Sequence, residues 1–439
     1  MAVENQSPRR SFALGVVNGF LTQGGLAFYD LDTVIPAFVF SLATLSTRNL
    51  WVGAASALFA IGWQWPQLFT AHFVESRKTA MQYYHLSVAG RTVALIGFLL
   101  ALGFCGADHP QLLLWSLIAF MAVFASSGGF GMIAFVEVVG KTVPPTRRGA
   151  YFGIRRFIGG MLTVGAGIMI KTVLDSPESL PFPRNFLLLF VVGAALSVVG
   201  MIAFSLVEEP PRTELRREIG FLQFLRRGLR ILRHDANVQR FVAVVYLTRF
   251  ALLVGPFYTI FAQHSLRVSL STAGIFLAIF SGASMLSNLA WARMSDRQGN
   301  RRVIVWSALL FLATPVIAVT ARFIPDAALV EVGGWSMRVN LAYYCVLYAV
   351  NGAVSSGRGI GFLNYQIEAA PERRRPTYFS LQSTLVAPSC LLPIAVGYFL
   401  DRTDAYVAVF AAAFVTALAA ALLAQRLREP REERGGGAT

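Results

Sequence analysis

Long apolar stretches follow one another along almost the whole chain, and polar residues collect in the short segments between them. An apolar stretch of about 20 residues is long enough to cross a bilayer as a helix. The stretches lack the alternation of barrel strands, and an open sheet cannot exist in lipid, so each is predicted to be a helix. About twelve transmembrane helices are predicted, at 13–36, 51–73, 82–105, 112–139, 151–174, 185–207, 239–262, 270–292, 303–323, 340–362, 378–400 and 405–425.

The predicted helices form two sets of six, separated by a basic segment. This pattern predicts an all-α membrane protein with an N-terminal bundle (1–207), a cytoplasmic linker (208–238), a C-terminal bundle (239–430) and a disordered tail (431–439). In the linker, leucines and isoleucines recur at helical spacing between arginines. That spacing predicts an amphipathic helix lying on the cytoplasmic leaflet.

The composition argues against a large soluble domain and against several kinds of enzyme. Of the 439 residues, 55% are hydrophobic and 14% are charged, whereas soluble domains carry roughly 25% charged residues. The 3 cysteines and 5 histidines are scattered, so neither a disulfide framework nor a metal site is predicted. No nucleotide-binding GxxxxGK[ST] motif occurs, and no cofactor is predicted.

The net charge of +15 follows the predicted topology. If the N-terminus is cytoplasmic, 28 of the 38 lysines and arginines lie in cytoplasmic segments, 7 on the opposite side and 3 within spans. This bias predicts twelve spans with both termini in the cytoplasm, and we expect the chain to lie in the cytoplasmic (inner) membrane. Because topology accounts for the positive charge, no nucleic-acid partner is predicted.

The two halves resemble each other at matching places. The loop after span 4 (145–152) reads Pro-Thr-Arg-Arg-Gly-Ala-Tyr-Phe, and the loop after span 10 (371–379) reads Pro-Glu-Arg-Arg-Arg-Pro-Thr-Tyr-Phe. Two basic pairs also match, Arg77-Lys78 after span 2 and Arg301-Arg302 after span 8, when Arg77 is aligned with Arg301. Six helices per repeat keep both halves in the same orientation, which predicts two pseudo-symmetric bundles.

The segment after span 8 resembles the signature of the major facilitator superfamily, which reads roughly G-x-x-x-D-R-x-G-R-R. Residues 292–302 keep Asp296, Arg297, Gly299 and Arg301 of that pattern, with Ala292 in place of the first glycine. The resemblance implies a substrate site between two six-helix bundles near mid-membrane, and it implies a monomer. The subfamily is not resolved, since span 4 lacks the arginine and span 5 the glycine–proline motif of drug–proton antiporters.

Charged residues within the spans are the first functional candidates, because each costs about 2.5 kcal/mol or more in the bilayer. Asp30 and Asp32 are predicted to point about 200° apart on one helix. Asp30 shares a face with Gln23 and is the candidate for binding substrate or a proton, whereas Asp32 is expected nearer the outer edge. The alternatives for Asp30 are a fixed salt bridge and a carboxylate at the outer edge among the lipid headgroups. The coupling ion, if there is one, is predicted to be H⁺.

Arg249 is the corresponding candidate in span 7, where it shares a face with Tyr246. It could bind an anionic substrate or pair reversibly with Asp30, and the alternative is a permanent ion pair. In span 10 the candidates for substrate binding are Asn351, Ser355 and Arg358. Arg91 and Glu137 are predicted to be internal partners with a structural role.

A second cluster of charges lies at the predicted cytoplasmic edge. Asp296, Arg297 and Arg301 follow span 8, and Glu368 followed by Arg373–Arg375 ends span 10. Opposite charges there would hold an inner gate shut until the helices rearrange. The alternative is that the arginines only orient the chain.

These patterns favour a secondary transporter that moves a small solute by alternating access. The alternatives are a transporter-like sensor that binds solute without moving it, and an intramembrane lipid-modifying enzyme. An enzyme would need clustered catalytic groups near one membrane face, and the histidines do not cluster.

Overall fold

The chain is helical nearly throughout its described part. The computed structural model describes residues 8–75, 78–106, 108–144, 147–176, 178–211, 230, 233–325, 329–332, 335–369 and 385–430. Its α-helices are α1 (Pro8–Ala27), α2 (Val34–Leu42), α3 (Arg48–Glu75), α4 (Met81–Cys105), α5 (Pro110–Thr142), α6 (Arg148–Leu174), α7 (Arg184–Ser205), α8 (Ala236–Leu252), α9 (Gly255–Ser265), α10 (Thr272–Gln298), α11 (Asn300–Phe311), α12 (Ala313–Thr320), α13 (Val339–Ala369), α14 (Leu392–Thr403) and α15 (Tyr406–Ala424). An antiparallel hairpin of β1 (Leu329–Val332) and β2 (Trp335–Arg338) precedes α13.

The predicted class of all-α membrane protein is confirmed. Eight described segments are long and apolar enough to cross a membrane: Met81–Cys105, Pro110–Thr142, Ala150–Leu174, Arg184–Ser205, Ala236–Ser265, Thr272–Gln298, Asn300–Phe323 and Tyr406–Ala424. The predicted linker helix, most of its segment and the predicted disordered tail lie outside the described residues.

Several predicted spans are interrupted rather than continuous in their described parts. Span 13–36 is divided into α1 and α2 at residues 28–33, and span 239–262 is divided into α8 and α9 at residues 253–254. Span 303–323 continues through α11, α12 and a short 3₁₀ helix, Ala321–Phe323. The second helix of the divided span 7 begins with Gly255 and Pro256, and proline suits a first turn because its missing N–H has no helical acceptor there.

The described helices pack as two compact units. Unit 1 comprises Met1–Glu218, Ser269–Ala278 and Pro393–Asp401, and unit 2 comprises Ile219–Val268, Ile279–Leu392 and Arg402–Thr439. The core of unit 1 contains a cluster of aromatic rings in which Phe38 packs edge-on against Phe98, Phe186 and Phe190. In unit 2, Phe241 stacks on Tyr365 with ring centroids 5.0 Å apart. Each unit therefore has its own hydrophobic core.

A buried glutamate caps one helix in each unit, and the two contacts are related by the internal repeat. In unit 1, Glu209 accepts the backbone N–H groups of Ala80 and Met81, both at 2.7 Å, at the start of α4. In unit 2, Glu429 accepts the backbone N–H of Arg301 at 3.0 Å, at the start of α11. Both glutamates precede a proline, and the same sequence separation of 128 joins Glu209 to Met81 and Glu429 to Arg301. The repeat is therefore one of structure as well as of sequence.

This capping contact corrects the predicted alignment of the two halves at this place. When Met81 is aligned with Arg301, Arg77 falls opposite Arg297 rather than Arg301, and Ser76 falls opposite Asp296; residues 76 and 77 themselves lie outside the described residues. Gly299 adopts φ +84°, and a Cβ there would lie 2.5 Å from the carboxyl carbon of Glu429. The glycine of the signature is thus required both by its backbone angle and by the capping glutamate.

Candidate functional site

The contact between α1 and α6 in unit 1 is built on glycines from both helices. Gly15 and Gly19 of α1 leave space that is occupied by Tyr151 and Arg155 of α6, and Gly159 of α6 leaves space that is occupied by Gln23 of α1. Small residues allow membrane helices to approach closely. Here each helix also receives a polar side chain of the other. We call this set, with Asn18, the α1–α6 seam.

Arg155 is the central residue of the α1–α6 seam. Its Nη1 donates to the carbonyl of Gly15 at 2.6 Å and to the hydroxyl of Tyr151 at 2.7 Å, and its Nη2 donates to Oδ1 of Asn18 at 3.1 Å. The guanidinium also lies 4.8 Å from the ring centre of Phe135. Seven residues separate Arg155 from the start of α6, so it lies roughly 10 Å along the helix axis. The side chain remains partly exposed.

A polar network continues from the seam into the interior of unit 1. Asn18 Nδ2 donates to the carbonyl of Gly200 at 2.9 Å and to the hydroxyl of Tyr84 at 3.2 Å. Tyr84 lies close enough to Arg91 and Arg155 to interact electrostatically with both. Asn18 and Tyr84 are buried, so the network sits at a depth where unpaired polar groups are costly.

Arg91 is buried among aromatic rings, with 8% of its surface exposed. Its guanidinium lies 5.2 Å from the ring centre of Trp63 and 5.0 Å from that of Phe124, and Nη1 contacts the sulfur of Met201 at 3.7 Å. The predicted partnership with Glu137 is wrong, because Glu137 pairs with Lys141 one helical turn away at 3.5 Å. The electron-rich ring faces supply part of the stabilisation that a carboxylate would give.

In unit 2, Arg358 borders a cavity that has room for about one water molecule and is otherwise mostly apolar. Thr248 and Ser307 contribute the other polar groups, and Oγ1 of Thr248 is buried without a hydrogen-bond partner among the described residues. Ligand pockets for small molecules usually enclose about 300–1,000 Å³. This cavity is therefore smaller than a typical solute site.

The remaining predicted site residues of unit 2 occupy separate positions. Arg249 Nη1 contacts the sulfur of Cys390 at 3.5 Å, and Tyr246 is 37% exposed. Asn351 accepts a long hydrogen bond of 3.4 Å from Thr314, and Ser355 is partly buried. The residue of α8 that lines the cavity beside Arg358 is Thr248, which directly precedes the predicted residue Arg249. The role of these residues in substrate binding stays a prediction.

Asp30 and Asp32 do not lie on a helix, so the predicted angle between them does not apply. Both fall in the break between α1 and α2. Oδ1 of Asp30 accepts the hydroxyl of Thr33 at 2.7 Å and the backbone N–H of Asp32 at 3.1 Å. The bond to Asp32 gives its backbone N–H a side-chain acceptor in place of a backbone carbonyl, which stabilises the turn. Asp30 is half-buried and Asp32 is exposed.

The predicted inner-gate residues lie at the ends of α10, α11 and α13. Asp296 and Arg297 are exposed, and Glu368 is partly buried. Arg301 donates its side chain to the carbonyl of Leu427 at 3.2 Å, in addition to its backbone bond to Glu429. Arg373–Arg375 lie outside the described residues, so a gate formed with Glu368 stays a prediction.

Besides the α1–α6 seam at the start of α6, unit 1 contains a second set of close contacts near the end of α6. Asp401 accepts the backbone N–H groups of Asn49 and Leu50 at 2.9 and 2.8 Å, which caps the start of α3. A Cβ on Gly167 of α6 would lie 2.5 Å from the carbonyl oxygen of Gly274 in α10. Segments Ser269–Ala278 and Pro393–Asp401 thus join unit 1 by backbone contacts that leave no room for larger side chains.

Asp175, just beyond α6, belongs to the same end of unit 1. Partial burial opposes ionisation of its carboxyl, but hydrogen bonds from Lys171 and Ser271 outweigh that effect and lower its pKa. The carboxylate is therefore charged at neutral pH and helps to hold the start of α10 beside α6.

Sequence reasoning missed the central residues of the seam. Arg155 is counted among the cytoplasmic lysines and arginines of the predicted topology, because it lies beside Arg156 near the predicted start of span 151–174. Asn18, Tyr84 and Tyr151 lie among apolar residues and gave no charge signal. One sequence feature could have indicated the seam: Gly15 and Gly19 are four residues apart, as are Tyr151 and Arg155, and four residues are about one helical turn. Among the described residues there is also no group of three or more His, Cys, Asp or Glu able to hold a metal ion.

Comparison with known proteins places this architecture in a known group. Residues 241–439 match the sequence model described as Major Facilitator Superfamily. A solved D-xylose–proton symporter is similar over 96% of this chain and 98% of its own, with a TM-score of 0.71 and 13% identity. A bacterial homologue of the iron transporter ferroportin, in its inward-facing state, is similar over 96% and 99%, with a TM-score of 0.68 and 16% identity. A mutant of the nucleoside transporter NupG is similar over 95% and 99%, with a TM-score of 0.70 and 14% identity.

Similar sequences also occur in mycobacteria. The uncharacterized protein Rv2209 of Mycobacterium tuberculosis (strain H37Rv) is 25% identical over 336 residues, which are 72% of this chain and 59% of that protein. The uncharacterized protein Mb2232 of Mycobacterium bovis gives the same values. This chain thus spans about 59% of the length of these relatives.

Proposed function

We propose that the chain is a secondary active transporter of the major facilitator superfamily, with the subfamily unresolved; the superfamily's sequence model matches residues 241–439, and solved transporters share the fold. It moves a small solute across the cytoplasmic membrane by alternating access, with both termini in the cytoplasm. The positive-inside bias of its lysines and arginines supports this orientation. Proton coupling through Asp30 is part of the proposal.

The observation that carries this function is the repeated glutamate cap. Glu209 and Glu429 meet equivalent helix starts in the two halves of the sequence. Two copies of one folded unit in the same orientation are what a rocking transporter uses, because each copy presents its inner end to the same side of the membrane. A lipid-modifying enzyme has no evident need for such a repeat. The polar network inside unit 1 adds ionisable side chains at depth, which are typical of solute and proton pathways.

Solute counterflow in proteoliposomes tests the proposal. The purified protein is first screened for solutes that raise its melting temperature, because a ligand that binds the folded state stabilises it by mass action. Each stabilising solute is then followed in vesicles loaded with the unlabelled compound. Accumulation of labelled solute against protein-free vesicles supports transport. Binding without counterflow indicates a sensor, and a change in lipid composition without either indicates an enzyme.

Substituting Asp30 separates proton coupling from solute movement. Asp30→Asn keeps oxygen acceptors for Thr33 and Asp32 but cannot carry a negative charge. We expect counterflow to persist within about twofold, while uptake driven by a pH gradient falls about tenfold or more, as is common when a required proton-transfer group is lost. The exposed Asp32→Asn is the matched control. Equal loss of both activities in Asp30→Asn would show that the charge of Asp30 is needed for solute movement itself and not for proton coupling alone.

A further inference from the structure

We infer that the transported solute is an anion whose carboxylate or phosphate group binds Arg155 at the α1–α6 seam. This inference rests on the proposed transport function and names its substrate class. Arg155 is held by a carbonyl, a hydroxyl, a side-chain amide and the faces of two aromatic rings, all of them neutral. Within the described part of the chain, neither Arg155 nor Arg91 lies within ion-pair distance of a carboxylate.

Two uncompensated cations within one helical unit create a positive potential that acts over a long distance. Water screens charge strongly, whereas inside a protein the effective dielectric is much lower. Arg91 is sequestered by Trp63, Phe124 and Met201, so it contributes through the field and not by contact. Tyr84 stands near both guanidinium groups. A solute that carries a negative charge to Arg155 would therefore be stabilised by both arginines.

Geometry distinguishes Arg155 as the group that makes contact. It is partly exposed, whereas Arg91 is buried. Gly15, Asn18 and Tyr151 fix one edge of its guanidinium, so the side chain is oriented before a ligand arrives and loses little rotamer freedom on binding. The planar fork of arginine matches the paired oxygens of a carboxylate or phosphate. Glycine at positions 15 and 19 is what lets this large side chain lie against α1.

Gln23 adds a neutral polar group to the α1–α6 seam beside Arg155. Its side chain lies over Gly159 and is exposed. An amide both donates and accepts hydrogen bonds, which suits the hydroxyl or carbonyl groups of an organic anion. The seam thus offers one cationic and one neutral polar group about a helical turn apart.

Matched pairs of charged and neutral probes test this inference. The melting temperature of the purified protein is measured against glycerol 3-phosphate and glycerol, gluconate and glucose, and inorganic phosphate. We expect only the anions to stabilise the wild type. In Arg155→Gln their apparent affinity should fall about tenfold to a hundredfold, the range for losing hydrogen bonds to a charged group. Arg156→Gln is the control, because the neighbouring Arg156 is exposed and shares none of the seam contacts. Its affinities should match those of the wild type.

Arg155→Lys guards against failure to fold, because it keeps the charge but loses the fork. We expect this variant to bind phosphate about tenfold more weakly than the wild type, since a point charge replaces two parallel bonds. The inference is overturned if the neutral partner of a pair stabilises as well as the anion. It is also overturned if no anion stabilises the wild type, or if Arg155→Gln binds anions unchanged.

Two further measurements distinguish a soluble anion from a lipid headgroup as the ligand, and distinguish binding from transport. Melting is repeated in nanodiscs of phosphatidylcholine with and without phosphatidylglycerol. Stabilisation by phosphatidylglycerol that requires Arg155, without stabilisation by soluble anions, would assign the seam to a lipid headgroup and overturn the substrate. Counterflow of a neutral solute would uphold transport while rejecting the anion. Anion binding at Arg155 without counterflow would uphold the binding site while rejecting transport.

Discussion

Replacing Gly274 with leucine is expected to detach the start of α10 from α6. A Cβ at position 274 would lie 2.5 Å from the backbone nitrogen of Lys171 and would also overlap the carbonyl oxygen of Gly167. Backbone atoms of a helix cannot move aside as a flexible side chain can, so the two segments must separate. Overpacking a well-packed contact costs about 1–3 kcal/mol, and about 1.4 kcal/mol changes an equilibrium tenfold.

Thiol accessibility at position 271 reports this separation. Ser271 is buried, with 3% of its surface exposed, so a cysteine placed there should react slowly with a membrane-impermeant maleimide. With Cys105 replaced by serine as background, we expect Gly274→Leu to raise the labelling rate about tenfold or more. Gly282→Leu is the matched control, because it lies in the same helix and a Cβ there would meet no atom within 4 Å. Unchanged labelling in Gly274→Leu would mean that the contact between Gly167 and Gly274 does not hold the segment.

This contact bears on transport because of where its residues fall in the chain. Ser269–Ala278 and Pro393–Asp401 follow span 7 and precede span 12 in the sequence, yet they pack in unit 1. Asp401 caps α3, and Asp175 bonds Ser271. If the proposed alternating access is correct, these contacts break and reform in each cycle. The same variant should therefore alter counterflow as well as labelling.

The sequence predicted the class of fold because lipid constrains composition more strongly than water does. The apolar runs, the positive charge of the cytoplasmic loops and the repeated loop sequences can each be read from one sequence without knowledge of distant contacts. The breaks within spans were not visible in the same way. Within residues 28–33 the backbone N–H of Asp32 bonds Oδ1 of Asp30, and hydropathy does not register a change of hydrogen-bond acceptor.

The candidate site was harder to predict because its residues are far apart in the sequence. Arg155 bonds Gly15 and Asn18, which are far away in the sequence, and a helix start near a basic loop makes such an arginine look cytoplasmic. The alignment of the repeat was displaced by about one helical turn because arginines were matched to arginines. The capping glutamates define the correct alignment, although each is distant in sequence from the N–H group that it accepts. Such pairs become recognisable only when the fold brings them together.

Removing the carboxylate of Glu209 is expected to destabilise the protein severely. Its side chain is 1% exposed, accepts two backbone N–H groups and forms an ion pair with Lys141 at 2.5 Å. Glu209→Ala leaves the start of α4 uncapped and leaves Lys141 with Glu137 at 3.5 Å as its remaining carboxylate partner. Breaking a buried pair by removing one member costs about 3–5 kcal/mol. We therefore expect a clear drop in the apparent melting temperature in detergent.

Comparing Glu209 with its repeat counterpart Glu429 helps to separate the contribution of the ion pair with Lys141 from that of the helix cap. Glu429 makes the equivalent cap with one backbone N–H, and its Oε1 has no hydrogen-bond partner among the described residues. Glu429→Ala should cost about 1–2 kcal/mol, the range for losing a helix cap. The exposed Glu208→Ala should cost less than about 1 kcal/mol, the usual limit for an interaction of a surface charge. Glu209→Gln keeps an acceptor for the cap but removes the charge, so it should fall between Glu209→Ala and the wild type. If Glu209→Ala and Glu429→Ala melted together, neither Lys141 nor the second backbone N–H would add to the cap, and the two halves would be equivalent in energy as well as in position.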